Sequence, residues 1–282
     1  MTAHHLNCAT MCPFGGQLLL GSGGPLVARL TAHCLLVESA DALILVDTGF
    51  GTGDVADPRR LGRSLLWTVR PRLDPAATAV HRIRALGHDP RDVRHIVLTH
   101  LDPDHAGGIG DFPHARVHVL ADELRAAEAL ATRGERDRYR PVQWAHGPRW
   151  VEHPQDAATE DWYGFRAIPI LPRETSDVLL VPLPGHTRGH CGVAVREADR
   201  WLLHCGDAYF SHTDVDPASP RRPPALTAFQ RMMAVDNGAR LHNRERLREL
   251  RRAHHDEVRL ICAHDPADLD PRPAPRTGAR RS

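Results

Sequence analysis

The segment THLDPDHAGG, residues 99–108, concentrates four side chains of the kinds that bind divalent metal ions in proteins. His100 and Asp102 are two positions apart, and Asp104 and His105 are adjacent. Neighbouring side chains of a short turn point in different directions, so one segment can serve two metal ions a few ångströms apart. We therefore expect His100 and Asp102 to contact one ion. Asp104 and His105 are expected to contact the second.

Side chains of the same kinds recur where apolar, strand-like runs end. RHIVLTH ends at His100, VPLPGH at His186, LLHCGD at Asp207 and LICAH at His264. A histidine or aspartate at the end of a buried strand is costly unless it is paired, protonated or bound to metal. For any one histidine, a hydrogen-bonded polar turn is the simpler explanation. Four such endings together with the dense segment favour a shared metal site.

Alternation of apolar runs and helix-like segments predicts sheets that are covered by helices. The predicted strands are 33–39, 42–49, 94–100, 116–121, 177–185, 191–197, 200–207 and 258–264, and the predicted helices lie near 56–70, 76–88, 121–133, 225–235 and 240–255. Residues 134–176, rich in Pro, Trp, His and charge, are expected to run over the surface as a long excursion. We expect one domain over 1–265 and a disordered, Pro- and Arg-rich tail over 266–282.

Composition narrows the class of protein. The 282 residues are 41% hydrophobic and carry a formal net charge of +1, which argues against a nucleic-acid partner. No apolar run is long enough to span a membrane, and the first residues lack the pattern of a secretory signal. We therefore predict a cytoplasmic protein with no membrane partner. The six cysteines form no CxxC pair, so a disulfide framework is not expected.

The order of these motifs resembles that of a metallo-β-lactamase-fold hydrolase. The family signature HxHxDH is followed by a distant histidine, a distant bridging aspartate and a last histidine. Here His100, Asp102, Asp104 and His105 occupy the first motif, followed by His186 in PGHTRGH, Asp207 in CGDAYF and His264 in CAHDP. Asp47 in ILVDTG matches a stretch that the family carries under its metal site. Within the family, HCLLVES, LILVDTG and the AGG after DH are most similar to the acyl-homoserine-lactonase-like group.

The resemblance implies a fold and a chemistry. The fold would be an α/β (α+β) αββα sandwich of two mixed sheets with two metals at one edge. His100, Asp102 and His186 would bind one metal, Asp104, His105 and His264 the other, and Asp207 would bridge them. A hydroxide between the two ions would attack a carbonyl ester, most plausibly a lactone, while one ion polarises the carbonyl. Asp104 would also orient the hydroxide or relay its proton.

Asp102 stands where the family usually has histidine. A carboxylate adds a hard, anionic donor, which tilts preference from Zn²⁺ towards Mn²⁺ or Fe²⁺. Aspartate remains a competent zinc ligand, so we still expect two divalent ions and take zinc as the first choice. Asp102 could instead point outward and cap the segment that begins at Pro103.

Several further residues have two interpretations each. Tyr209 either hydrogen-bonds a substrate carbonyl or packs in the core. His190 and Asp47 are expected to support metal ligands rather than bind metal themselves. Cys205 is expected in the core, and Thr187 to support its turn. Arg188 and five aromatic residues either line a substrate pocket or anchor the surface excursion; the five are Trp144, Trp150, Trp162, Tyr163 and Phe165.

The N-terminal residues offer one more metal candidate. Cys8 and Cys12 with His4 and His5 could form a small zinc knot, although their spacing suits ordinary loop and core residues better.

Three classes of function follow from these residues. A lactone or other carbonyl-ester hydrolase with a small-molecule substrate is the leading interpretation. An iron-dependent redox enzyme of the same fold is the second, and a thioester or phosphodiester hydrolase is a variant of the first. A non-catalytic, metal-stabilised binding protein is the third. A homodimer is compatible with all of them.

Overall fold

The first of two β-sheets has seven strands. The computed structural model describes residues 1–17, 21–40, 42–157, 160–170, 177–218 and 223–269. The strands are β1 (Thr2–Met11), β2 (Leu30–Glu38), β3 (Leu43–Val46), β4 (Pro71–Arg72), β5 (Val93–Val97), β6 (Arg116–Leu120) and β7 (Arg149–His153), in the spatial order β4-β1-β2-β3-β5-β6-β7. β1, β2 and β3 are antiparallel neighbours, whereas β3, β5, β6 and β7 run parallel.

The second sheet has six strands. They are β8 (Glu160–Trp162), β9 (Phe165–Pro169), β10 (Val178–Pro182), β11 (Cys191–Arg196), β12 (Trp201–His204) and β13 (Val258–Ile261), in the order β13-β12-β11-β10-β9-β8. Only the β12–β13 pair is parallel among these neighbours.

Helices follow many of the strands. They are α1 (Thr52–Ala56), α2 (Arg63–Thr68), α3 (Ala79–Ala85), α4 (Pro103–Ala106), α5 (Ala121–Ala129), α6 (Arg133–Arg138), α7 (Pro224–Met233) and α8 (Asn237–His254). α6 begins with a capping box, in which the Thr132 hydroxyl accepts from the Glu135 N–H and the Glu135 carboxylate accepts from the Thr132 N–H. This cap fixes the start of the short helix that ends at Arg138.

Three apolar layers define the sandwich. β-branched and leucine side chains from both sheets, such as Val46, Val97 and Val193, fill the space between the sheets. The outer face of the first sheet packs against α3 and α5, and the outer face of the second sheet packs against α8 through Leu247 and Leu250. Alternating strand side chains serve both faces because successive residues of a strand point to opposite sides. The predicted αββα sandwich is therefore confirmed.

All eight predicted strands overlap observed ones, but the expectation for residues 134–176 is wrong. Residues 2–11 form β1, which was not predicted and pairs with β2 and β4. Cys8 of this strand lies in the core, in agreement with the favoured interpretation of the N-terminal cysteines. Residues 134–176 were expected to be a surface excursion, yet β7 is an edge strand of the first sheet, and β8 and β9 belong to the second. Their short strands and mixed polarity gave no clear period-2 signal.

The first residues of the predicted tail are ordered by a hydrogen bond to the last strand segment. Pro266–Leu269 form a 3-10 turn in which the Asp268 carboxylate accepts from the Cys262 N–H at 2.9 Å. Residues 270–282 lie outside the described residues, and the domain boundary remains a prediction. All six cysteines are free. Across the described residues, no helix is both long and apolar enough to cross a membrane.

Candidate metal centre

The seven ligand candidates lie just beyond the ends of four strands. His100 follows β5, His186 follows β10, Asp207 follows β12 and His264 follows β13. Asp104 and His105 lie within α4, and Asp102 is its N-cap residue. The ends of strands from both sheets thus meet at one edge of the sandwich, which brings all seven side chains into one buried cluster.

The first group of ligand atoms comprises His100 Nε2, Asp102 Oδ2, His186 Nε2 and Asp207 Oδ2. Asp102 Oδ2 lies 3.1 Å from His186 Nε2 and 3.4 Å from His100 Nε2. Asp207 Oδ2 lies 3.3 Å from His186 Nε2 and 3.9 Å from His100 Nε2. Atoms bonded at about 2.0–2.1 Å to one tetrahedral ion are separated by roughly 3.3 Å. The spacing of this group therefore fits a single divalent ion.

The second group comprises Asp104, His105 and His264 together with the other oxygen of Asp207. Asp207 Oδ1 lies 3.3 Å from His105 Nε2 and 3.0 Å from His264 Nε2. Asp104 Oδ2 lies 3.7 Å from each of these two nitrogens. Asp207 Oδ2 also lies 3.1 Å from His264 Nε2, so this carboxylate contacts histidines of both groups and could be shared by two ions.

Several buried polar atoms in this cluster have no hydrogen-bond partner. Among the described residues, His100 Nε2, His105 Nε2 and Asp207 Oδ1 are buried without a hydrogen bond. Buried polar atoms are costly when unpaired, and three buried carboxylates need compensating positive charge. Both features are satisfied by divalent ions bound to these atoms. The donor set, imidazole nitrogens with carboxylate oxygens, suits zinc, manganese and iron.

The histidines of the second group are fixed through their other ring nitrogen. His105 Nδ1 lies 2.8 Å from Asp47 Oδ2, and His264 Nδ1 donates to the Thr31 carbonyl at 2.7 Å. Asp47 also accepts from the backbone N–H and the hydroxyl of Thr99, both at 2.8 Å. Such contacts select the tautomer that directs Nε2 towards a metal. The placement of Asp47 is the one that the sequence predicted.

Carboxylates set the electrostatics of the second group. Burial lowers the pKa of His105, but Asp207, Asp104 and Asp47 outweigh burial and raise this pKa well above its usual value. In the first group, burial lowers the pKa of His186 to about 4, which Asp207 offsets only in part. The second group therefore attracts positive charge more strongly than His186 does.

Asp207 is held in place by its backbone neighbours. Its N–H donates to His190 Nε2 at 2.9 Å, and His190 Nδ1 donates to the Leu183 carbonyl at 2.9 Å. Gly206 precedes it with φ of +52°, and a Cβ there would lie 2.7 Å from His190 Nε2. Only glycine fits this position, so the close approach of His190 depends on it. His190 thus positions Asp207 through its backbone N–H and belongs to neither ligand group.

Glu123, which the sequence analysis did not single out, ties three segments of the centre together. Its buried carboxylate accepts from the N–H of Leu101 at 3.0 Å and of Gly189 at 3.1 Å, and from the Tyr139 hydroxyl at 3.1 Å. These partners lie in the HxDxDH segment, in the turn after His186 and at the end of α6. A single glutamate on an alanine-rich helix gives no sequence signal for this role.

Asp102 points into the centre and does not cap α4. Although it is the N-cap residue, its side chain makes no cap hydrogen bond. Instead, Arg138 Nη1 donates to Asp102 Oδ2 at 3.0 Å and to Oδ1 at 3.3 Å. Arg138 Nη2 donates to the Met233 carbonyl. The alternative in which Asp102 turns outward is therefore wrong, and the sequence analysis missed its partner Arg138.

An apolar wall borders the ligands. The Phe210 ring centroid lies 4.5 Å from that of His264 and 6.2 Å from that of His186. Phe210 packs with Phe229 and Leu226 of α7 and with Ala28. Phe210, which the sequence analysis did not single out, is therefore the aromatic residue that adjoins the ligand candidates.

The remaining candidates lie elsewhere. Tyr209 is fully buried among apolar residues of the outer core of the second sheet, with Cys205 beside it. Its buried hydroxyl has no hydrogen-bond partner among the described residues and makes no contact with the ligand candidates. Arg188 donates to Glu135 at 3.0 Å. Trp144 and Trp150 pack on the outer core of the first sheet, and Trp162, Tyr163 and Phe165 on that of the second.

A second, half-buried group of metal-binding side chains lies away from this centre. It comprises His4, Glu38 and His88, with His4 Nε2 2.5 Å and His88 Nε2 3.6 Å from Glu38 Oε1. Cys8 and Cys12 belong to neither this group nor the centre. Measurements of metal content must therefore separate the two locations.

Comparison with known proteins identifies the class. The model of the metallo-beta-lactamase superfamily matches residues 27–253. The chain belongs to this superfamily and is a metal-dependent hydrolase, as the sequence motifs predicted.

Individual relatives refine the comparison. A probable metallo-hydrolase of Mycobacterium tuberculosis is 46% identical over 263 residues, covering 93% of this chain and 80% of that protein. An N-acyl homoserine lactonase of Rhizobium johnstonii is 36% identical over 85 residues, 30% of this chain and 32% of its own. A solved N-acyl homoserine lactone hydrolase with N-hexanoyl-L-homoserine bound at its catalytic metal centre superposes with a TM-score of 0.69. It is 19% identical and covers 94% of this chain and 93% of its own, which shows a shared fold.

Proposed function

We propose that this chain is a binuclear metal-dependent hydrolase that opens a carbonyl ester, most plausibly the ring of a lactone. The observation that carries the proposal is Asp207, whose two oxygens lie within 3.3 Å of histidine nitrogens from both ligand groups. The proposed ligands are His100, Asp102 and His186 for the first ion and Asp104, His105 and His264 for the second, with Asp207 shared. Zinc is the proposed metal.

Among the described residues, the thiols near the centre are not activated as nucleophiles. Burial raises the pKa of the Cys191 thiol well above its ordinary value, and it raises that of Cys205 as well. Two divalent ions, when bound, lower the pKa of a water molecule towards neutrality and polarise a carbonyl group. The protein residues must then hold the ions, orient the substrate and move one proton.

Exposure supports Asp104 as the residue that moves that proton. Asp104 is the most exposed of the seven proposed ligands, at 9% for the whole residue. In the net reaction, water supplies OH to the carbonyl carbon, the C–O bond of the ring breaks, and the proton passes to the departing alkoxide oxygen. We propose that Asp104 carries this proton between the two oxygens on Oδ1, the carboxylate oxygen that is not assigned to the second ion.

The apolar wall suggests how a substrate is oriented. The Phe210 ring lies beside His186 and His264, and Phe229, which is only partly buried, packs against Phe210. We propose that the acyl chain of a substrate packs against Phe229 at the margin of this wall. The similarity to N-acyl homoserine lactonases, one of which holds an acyl-homoserine product at its metal centre, supports an acylated lactone as the substrate class. A cytoplasmic location and a homodimer remain predictions from the sequence.

The proposal is tested in two steps. Protein purified without chelator is first assayed for metals, and we expect close to two divalent ions per chain once sites at His88 are removed by His88→Ala. Activity is then measured on lactones, thioesters, phosphodiesters and β-lactams, and we expect lactones to be turned over fastest. Less than half an equivalent of metal, with no gain in stability on adding Zn²⁺, Mn²⁺ or Fe²⁺, would refute the metal centre. Bound metal without lactone turnover would refute the substrate class alone.

A further inference from the structure

The guanidinium of Arg138 lies against the first ligand group. Arg138 is the last residue of α6, and its side chain is only 10% exposed. Its Nη1 lies 3.0 Å from Asp102 Oδ2 and 3.1 Å from His186 Nε2. These distances equal the spacing between the ligand atoms themselves. The guanidinium therefore occupies the edge of the first group and is absent from the second.

The two contacts of Nη1 differ in what a metal would do to them. Asp102 has two oxygens, so Oδ1 can accept from Arg138 while Oδ2 binds an ion. His186 Nε2 has a single lone pair, which can accept from Arg138 or bind a metal, but not both. Binding of the first ion must therefore displace Arg138 from His186. It also places a divalent ion beside an arginine, which stays charged at any accessible pH.

Charge explains why Arg138 and Asp102 occur together. Where the family motif has a neutral imidazole, this chain has a carboxylate paired with a guanidinium, and the pair carries no net charge. The Arg138 guanidinium is also anchored by the Met233 carbonyl, which accepts from Nη2. Burial raises the pKa of the Asp102 carboxyl, but Arg138 and His100 outweigh burial and lower this pKa well below its usual range.

We propose that Arg138 is a built-in competitor of the first metal ion, so that the first site binds metal more weakly than the second and the chain holds one tight and one exchangeable ion. In the form with one ion, the guanidinium supplies the second positive charge next to His186. The inference rests on the proposed metal centre. Arg138 acts through the ligand atoms of Asp102 and His186, so it is a positioning residue and not a catalytic one.

Stepwise metal binding by the metal-free full chain tests this inference. Co²⁺ and Zn²⁺ are titrated against a chelating dye in the His88→Ala background, and the Co²⁺ absorption spectrum reports each filled site. We expect two steps in the parent. His186→Ala should remove the weaker step and His105→Ala the tighter one, which assigns the steps to the two groups.

Substitution of Arg138 then isolates its charge. Arg138→Met keeps much of the length and packing but removes the cation, and we expect it to tighten the weaker step at least about tenfold. Arg138→Lys keeps the charge and should leave the weaker step close to that of the parent. Arg133→Gln removes an exposed arginine from the same helix and serves as the matched control with no effect on either step.

Substitution of Asp102 tests the pairing of Arg138 with Asp102 independently. Asp102→His restores the family motif but leaves the guanidinium without its carboxylate, so we expect the weaker step to weaken further rather than improve. Combining Asp102→His with Arg138→Met should bind the weaker ion more tightly than the product of the two single effects predicts, because the histidine then no longer faces an uncompensated guanidinium.

The outcomes separate this inference from the proposed function. Two steps of equal affinity, or a weaker step that Arg138→Met leaves unchanged in a folded protein, overturn the inference and leave the metal centre intact. Additive effects of Asp102→His and Arg138→Met overturn the pairing. A parent that binds no metal at the centre overturns the proposed function as well.

Discussion

The two halves of the metal centre are built from the same side-chain types but are supported differently. In the second half, the distal nitrogens of His105 and His264 each have a partner, Asp47 and the Thr31 carbonyl. In the first half, His186 Nδ1 has no hydrogen-bond partner among the described residues, and Arg138 lies against Nε2. The second half is preorganised for an ion, whereas the first must release a competing cation. Equal motifs in sequence therefore need not give equal sites.

The largest expected effect comes from removing the carboxylate that both halves share. Asp207→Ala takes one oxygen from each ligand group, so we expect turnover to fall by more than the roughly 100-fold typical of losing an outer hydrogen-bond partner. The core of leucine, valine and isoleucine between the sheets is untouched, so the variant should fold. Turnover and circular dichroism check this together. Activity near that of the parent would show that the halves do not share Asp207.

Truncation of one histidine in each half measures the difference between them. His105→Ala should abolish turnover and remove the tighter metal step, because its ring serves the preorganised half. His186→Ala should remove the weaker step while one ion stays bound. Equilibrium dialysis followed by elemental analysis gives the metal content of each variant. If His186→Ala loses both ions and His105→Ala keeps the tighter one, the ranking of the halves is reversed.

The support behind His105 can be removed without touching a ligand. Asp47 has a positive φ of 53°, which asparagine tolerates, so Asp47→Asn should keep the backbone. Its amide would present a donor to His105 Nδ1 and favour the wrong tautomer. We expect the affinity of the second half to fall by about 10–100-fold, with the first half less affected. Unchanged metal titrations in Asp47→Asn would show that the contact does not tune the site.

The smallest effect is expected at Asp268, which lies outside both halves. Burial and Asp265 raise the pKa of Asp268 to about 6, above the ordinary value of 3.8. A carboxyl group with a raised pKa in the folded state stabilises the fold at low pH, and this contribution is lost as pH rises from about 4 to about 6. Asp268→Asn removes this titration, so above pH 6 the variant should be more stable than the parent by on the order of 1–3 kcal/mol in the free energy of unfolding.

Urea unfolding of the Asp268→Asn variant and the parent between pH 4.5 and 7.5 measures this difference in the free energy of unfolding. Its change with pH should correspond to the release of roughly one proton by the parent. Metal titrations of the two proteins should coincide, which makes the variant a control for the comparison of the halves. A stability difference that shrinks as pH rises would contradict the assigned direction.

Much of the fold was readable from local patterns. Apolar runs such as those of β3 and β12 are buried on both faces, and their composition marks them as strands without any knowledge of their neighbours. β7 and β8 were missed because these edge strands carry polar residues, as in RWVEH of β7. β9 was missed because it is short and pairs only with its neighbours β8 and β10. Local propensity cannot reveal such pairing.

The sequence by itself determined the chemical types of the seven candidate ligands and their places at strand ends, since both are properties of short segments. Tertiary structure decided which atoms meet. Arg138 reaches Asp102 across 36 residues and Met233 across 95, and Phe210 rather than Tyr209 faces the ligands. Such contacts depend on how α6, α7 and the strand ends pack in space. A charged run such as RGERDRYR looks the same in sequence whether its last arginines face solvent or a metal site.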